Sequence, residues 1–180
     1  MKKIIIPAVI ILVTSLYFGC AKKKTNVEFD MLYTTDIAIP TYSAANQTYT
    51  FVSNDILTDI SNKLSSNSTN IDLVGEMAYT RFDIAVKTPT TGNMTFIKQM
   101  KFYINASGQA EQQVAYKYAD VNDTILATDK KVSFKINDYN LKNRFSQSSV
   151  YFRVKFMPRT IPPATTITVT HNIHVKAITE

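Results

Sequence analysis

Apolar and polar residues alternate along most of this chain. Val27, Phe29, Met31, Tyr33, Ile37 and Ile39 share one phase, and Glu28, Asp30, Thr34 and Asp36 take the other. A period of two means one buried and one wet face, so the pattern predicts a strand over Val27–Ile39, stopped by Pro40. Tyr49 and Phe51 predict a short second strand. Ile56, Leu57, Ile60 and Leu64 fall on one helical face behind Ser53-Asn54, which predicts the one short helix, near 54–64. From Ile71 to Val86 the phase breaks: Met77 and Tyr79 have one parity, Phe82, Ile84 and Val86 the other. One extra residue turns every later side chain to the opposite face, so a bulge or sheet switch is expected near Thr80–Arg81.

Further strands are expected over Met94–Ile104, with Phe96, Met100, Phe102 and Ile104 inward, and through Val114, Tyr116 and Tyr118 in one phase. Lys98 interrupts the first of these and suggests an edge. Val132, Phe134 and Ile136 predict another strand, and Val150–Phe156 alternates with Tyr151, Arg153 and Lys155 outward. A polar connection, 137–148, has room for one helical turn. The last strand is expected over Thr165–Ile178, with Ile167, Val169, Ile173 and Val175 inward. The inward set Phe29, Met31, Phe102, Phe134, Phe152, Val154, Ile167 and Val169 is the expected core. Seven or eight strands with turns between them predict an all-β, antiparallel β-sandwich with Greek-key connections. Immunoglobulin-like and jelly-roll connectivities both stay open, although paired cysteines and a core tryptophan are absent.

The amino-terminal stretch has a different pattern. Lys2 and Lys3 precede an apolar run from Ile4 to Phe18 that contains Pro7 and Thr14, then Gly19 and the chain's one cysteine, Cys20. A basic start, an apolar core shorter than the roughly 20 residues that span a bilayer, and a small residue before a cut site are the parts of a secretory signal. The Gly19-Cys20 junction resembles the lipobox of bacterial lipoproteins. That resemblance, confined to residues 1–20, implies cleavage before Cys20, lipidation of its thiol and acylation of the new amino terminus. Leu16 lies one place earlier than the usual pattern, and Tyr17 and Phe18 are bulky. Ala21, where an acid would mark retention, implies the outer rather than the inner membrane. Residues 1–19 then form the signal peptide, 20–26 the lipidated cysteine and tether, and 27–180 a single domain.

Composition narrows the functions. Removing residues 1–19 leaves 161, enough for one core, and takes two of the lysines behind the formal charge of +6. Lys22, Lys23 and Lys24 sit in the tether, so the domain is near neutral and nucleic acid is not an expected partner. Four glycines in the chain exclude Gly-rich phosphate loops, and no cofactor is expected. His171 and His174, three apart on a strand, point to opposite faces and cannot chelate one ion. His171 is expected inward, hydrogen-bonded at the edge of the core. Asp120, Asn122 and Asp123 have the oxygen content of a calcium loop without its glycine or distant glutamate, and read better as a turn. Asn-x-Ser/Thr tripeptides at Asn46, Asn67, Asn93, Asn105 and Asn122 are ascribed to chance. Asp123-Thr124-Ile125 resembles a short O-glycosylation motif of some exported bacterial proteins, which makes Thr124 a candidate modification site.

The resulting expectation is a membrane-anchored envelope lipoprotein that binds another envelope protein without catalysis. Its candidate docking edges are the first strand and the last, the latter with Thr166, Thr168, Thr170 and Asn172 outward. Glycan binding is the alternative, on outward Tyr103 beside Lys101 and Asn105, and on Tyr151 beside Arg153 and Lys155. A hydrolase with a carboxylate pair is the third reading.

Overall fold

The computed structural model describes residues 24–119 and 124–179. Ten strands form two packed antiparallel sheets, named here in chain order. The first sheet runs β1 (Asn26–Ile39), β10 (Thr165–Ile178), β4 (Val74–Thr88), β7 (Lys131–Ser133). The second runs β2 (Tyr49–Val52), β9 (Ser149–Pro158), β5 (Ile97–Asn105), β6 (Gln112–Tyr118), β8 (Lys135–Ile136), with β3 (Ile56–Leu57) also on β9. The pairs nest: first strand with last, β2 with β9, β4 with β7, β5 with β6. That is one long two-stranded ribbon rolled onto itself, so of the two open connectivities the chain takes the jelly roll.

The long strands match their alternation. In β1 and β10, fourteen consecutive residues pair without a register shift, from Asn26↔Ile178 to Ile39↔Thr165. The expected bulge is present: Arg81 faces Asn172 and Tyr79 faces Ile173, which leaves Thr80 as the extra residue. Thr80 and Arg81 therefore both point out, and Tyr79 and Phe82 both point in. Of the expected core set, Met31, Phe102, Phe134, Phe152, Val154, Ile167 and Val169 are buried, and Phe29 packs half-buried against them. Rings from both sheets meet at the centre. Phe82 of β4 lies 4.8 Å from Phe102 of β5 and 5.6 Å from Phe152 of β9, centroid to centroid. Phe134 is 5.4 Å from Phe102, at the point where the chain passes from β7 in one sheet to β8 in the other.

Five expectations are corrected. The helix does not begin near 54. Ile56 and Leu57 pair with Val150 and Ser149, and within 54–65 only α1, Ile60–Ser65, is helical; the expected turn in 137–148 is a second short helix, Lys142–Phe145. The i, i+4 spacing of Ile56, Ile60 and Leu64 keeps all three inward in either conformation, while Leu57 is 75% exposed. Sheet pairing decides over helical spacing at the front, and left-handed Asp59 (φ 45°) makes the corner. Ile71–Leu73 is a single 3₁₀ turn capped by Asn70, and β4 starts after it. Lys98 marks a register shift in β5, not an edge, since β5 is flanked by β9 and β6. The last strand is no edge either: β10 lies between β1 and β4, because the nested ribbon pairs last with first and leaves the rim to β1. Finally, Phe102 faces Ala115 and Tyr103 faces Gln113, so Val114 is an extra residue in β6. Val114 and Ala115 are both buried, and Tyr116 and Tyr118 turn outward.

The candidate edge and the tyrosine-cation face

Two surfaces carry most of the exposed chemistry. The first is the free edge of β1. Among the described residues no strand pairs with its outer side. Edge strands are normally blunted by lysine, proline, bulges or short length. β1 has fourteen residues, no register shift against β10, and neither Lys nor Pro. Leu32 at its middle is 61% exposed. The acids on its outward face are directed along the sheet. Asp36 accepts from Thr168 Oγ1 at 2.7 Å and from Lys87, and Asp30 lies 2.9 Å from His174 Nδ1. The His174 hydrogen bond, helped by Asn172, holds the Asp30 carboxyl below its usual pKa, and Lys87, then Thr168, do the same for Asp36.

The second is the outer face of the second sheet. The β6 bulge builds it, by turning Tyr116 and Tyr118 to the side where β5 carries Gln99, Lys101 and Tyr103. Across β5 the register sets Lys155 beside Lys101, Arg153 beside Tyr103 and Tyr151 beside Asn105. The residues singled out as two separate clusters, Lys101-Tyr103 and Tyr151-Arg153-Lys155, thus form one surface. Lys155 Nζ sits 4.7 Å from the Tyr103 ring centroid, and Lys101 Nζ 5.3 Å from that of Tyr118. A hydrogen bond between Lys101 and Tyr118 raises the lysine pKa and lowers that of the phenol. Tyr116 and Tyr118 meet edge to face at 5.4 Å. The adjacent apolar pair Val114-Ala115 was the signal for this bulge, of the same kind as the parity change around Thr80.

At one end this face runs into a basin of about 620 Å³, lined by Lys98, Gln99, Tyr118 and Met157 of the sheet and by Arg159 and Thr124 beyond it. Lys98 donates to Asn46 Oδ1 at 2.8 Å, and Arg159 to the Ala119 carbonyl. The basin lies where β9 ends and β10 begins, and β1, antiparallel to β10, starts at the other end. A fourteen-residue strand is about 45 Å long, so the basin and the entry of β1 are separated by roughly that span.

The remaining expected sites are dispersed. His171 and His174 do point to opposite faces. His171 is fully buried, not at the edge of the core, and no hydrogen-bond partner reaches either ring nitrogen. It stacks on Tyr33 at 5.4 Å and meets Tyr79 and Phe152 edge-on. Burial pushes its pKa down to about 3. Asp83 is the buried carboxylate among the described residues. It is covered by Arg81, Lys131 at 2.8 Å and Ser133 Oγ at 2.6 Å, a charge cluster that fastens β7 to β4. Asn105 is buried, with its amide on the Tyr103 carbonyl. Thr124 is exposed on the rim of the basin. Cys20, and the Asp120–Asp123 turn, lie outside the described residues. Among the described residues no three His, Cys, Asp or Glu side chains gather as a metal site, and no helix is long and apolar enough to cross a membrane.

No protein-family model matches the chain, and no curated protein does. Among solved structures, one similar chain is titled "Desmodium yellow mottle tymovirus". It has 10% identity and a TM-score of 0.30, covering all of this chain and 97% of that one. At that score the likeness carries no argument about function, and the fold itself hosts many unrelated ones.

Proposed function

We propose that this is a lipoprotein of the bacterial cell envelope, held through Cys20 to a membrane, the outer rather than the inner, whose sandwich binds another envelope protein without catalysis. The observation that carries the reading is the β1 edge. It offers fourteen residues of backbone on one side, without lysine, proline or a bulge to oppose pairing. An extended segment of a partner would add there as a further strand, held by main-chain hydrogen bonds and selected by alternate side chains. The edge begins six residues after Cys20, so a lipid anchor there would fix its lower end beside the bilayer. Anchoring confines the domain to a thin layer and raises its effective concentration for neighbours in that layer. His174 and Lys87 keep the β1 acids turned to their own sheet, which leaves the backbone edge unobstructed.

A photocrosslinking residue placed at Leu32 of the full chain, in intact membranes, tests the reading. An adduct with one envelope protein is expected, absent when the probe is moved to Thr168 on the internal strand. Leu32→Lys and Thr34→Lys should abolish partner recovery while the fold persists. Equal adducts from both probe positions, or recovery unchanged by both lysines, would overturn the edge as the docking site.

A further inference from the structure

We infer that the outer face of the second sheet is a binding surface for an acidic polysaccharide. This surface is separate from the β1 edge and does not depend on that edge's partner. The inference rests on a difference between the two outer faces. On the first sheet the described cations are matched by carboxylates: Lys87 with Asp36, Lys176 with Glu76 at 2.9 Å, and Arg81 and Lys131 with Asp83. With Glu28 and Asp30 beside His174, that face has no cation in excess of its carboxylates. On the second sheet Lys101, Lys135, Arg153 and Lys155 face one carboxylate, Glu111, which lies 3.1 Å from Arg153. Lys101 and Lys155 rest against tyrosine rings instead. A ring offers a cation quadrupolar attraction without neutralising it, so these two ammonium groups keep their full charge for an external anion.

The aromatic component selects the class of anion. Tyr103, Tyr116, Tyr118 and Tyr151 stand between the cations and are half-buried or exposed, with flat apolar bodies and polar tips. Sugar rings present C–H faces to aromatic planes and hydroxyls to phenols and amides. Gln99 and Gln113, in register with Tyr118 and Tyr103, supply amides on the same plane. Carboxylates borne on such rings would then meet Lys101 and Lys155, which pair directly across β5 and β9. Strands about 4.8 Å apart, with outward side chains every 6.8 Å or so, make a repeating grid suited to a linear polymer and not to one small ligand. The basin at the end of this grid continues it past Tyr118 and Met157.

The test uses the full-length protein in detergent, with alginate oligomers as the acidic probe, dextran oligomers as the neutral one and poly-glutamate as an acidic peptide. Alginate should bind, weaken as salt is raised, and exceed both dextran and poly-glutamate. Lys101→Glu with Lys155→Glu should reduce alginate affinity by more than about tenfold, since each reversal replaces attraction by repulsion at close range. Tyr103→Ala with Tyr116→Ala should weaken alginate while leaving poly-glutamate unchanged. Lys87→Glu on the other face should have no effect, and Leu32→Lys should spare alginate even where it abolishes the protein partner. These side chains are on the surface, so thermal unfolding midpoints should stay near wild type. Absence of alginate binding, indifference to the two lysine reversals, or poly-glutamate binding as tightly as alginate would each overturn the inference.

Discussion

Acid should destabilise this domain chiefly through one buried residue, His171. Its imidazole is fully buried among Tyr33 of β1, Tyr79 and Phe82 of β4 and Phe152 of β9, with no hydrogen bond to either nitrogen. Burial disfavours the cation and brings the folded pKa to about 3, against 6.5 for an unperturbed histidine. The sign follows from proton counting. Between pH 6.5 and 3 the unfolded chain binds a proton that the folded chain refuses, so stability falls as pH falls through that window. At pH 4.5 the gap amounts to two pH units below 6.5, or about 3 kcal/mol lost relative to pH 7. For a domain of this size that is roughly 6–12 °C in Tm. The titratable rings facing His171 are the Tyr33 and Tyr79 phenols, both pushed up by burial and protonated throughout the window.

His171→Leu keeps a similar volume and removes the titration. At pH 7 two small effects oppose each other: relief of unpaired ring nitrogens, about 1–3 kcal/mol, and loss of ring stacking, about 0.5–1.5 kcal/mol. The variant should therefore equal or slightly exceed wild type at neutral pH. By pH 4.5 it should exceed wild type by a further 3 kcal/mol or so. Asp30 and Asp36, whose folded pKa values are depressed, also lose stability as pH falls, through those folded values. That contribution is common to both proteins and cancels in the difference. Urea unfolding followed by circular dichroism at pH 7 and 4.5, with equal m-values, measures it. Parallel losses in wild type and variant would refute the burial argument.

Phe152→Ala, which empties the centre of the ring cluster, should cost roughly 3–5 kcal/mol in the same urea assay. Deleting Thr80 should leave unfolding cooperative in that assay, because Tyr79, Arg81 and Phe82 then alternate in regular register with Ile173, Asn172 and His171, and Thr80→Ala should stay within about 0.5 kcal/mol of wild type. Mass spectrometry of membrane-extracted protein should find an acylated peptide beginning at Cys20; an intact 1–19 segment or a free thiol would sink the lipoprotein reading.

What was legible in the sequence was local. The bounds of β1 and β10 emerged because alternation over a dozen residues has one interpretation, and the Thr80 bulge because it reverses parity inside one strand. The β6 bulge carried the same mark, adjacent Val114 and Ala115, but in a strand of seven residues the tyrosines at 116 and 118 supplied a competing phase. Pairing was not legible. Asn26 meets Ile178 and Tyr103 meets Arg153, and no local pattern names partners so far apart. For that reason the outward Tyr and Lys residues could be read as wet, but not as neighbours on one surface. The depth of His171 was hidden likewise: its phase gave the direction, and the rings that bury it come from three other strands.

The orientation of the sandwich would let one anchor at Cys20 serve both surfaces. β1 enters at one end and runs the full height of the sheet, while the tyrosine-cation face ends in a basin at the opposite end. With an anchor at Cys20, six residues before β1, both sheets can stand away from the bilayer, so that neither outer face is pressed against headgroups. A solubility role alone would favour mixed signs on both faces. Here the cations of one face are balanced by Glu28, Asp30, Asp36, Glu76 and Asp83, and the other leaves its lysines on tyrosine. The free β1 edge belongs to the balanced sheet and the unbalanced cations to the other, so a strand added to β1 would extend the first sheet without covering Tyr103 or Lys155. Simultaneous occupancy by a protein strand and an acidic polymer is therefore sterically permitted, and the two ligands should bind without competing.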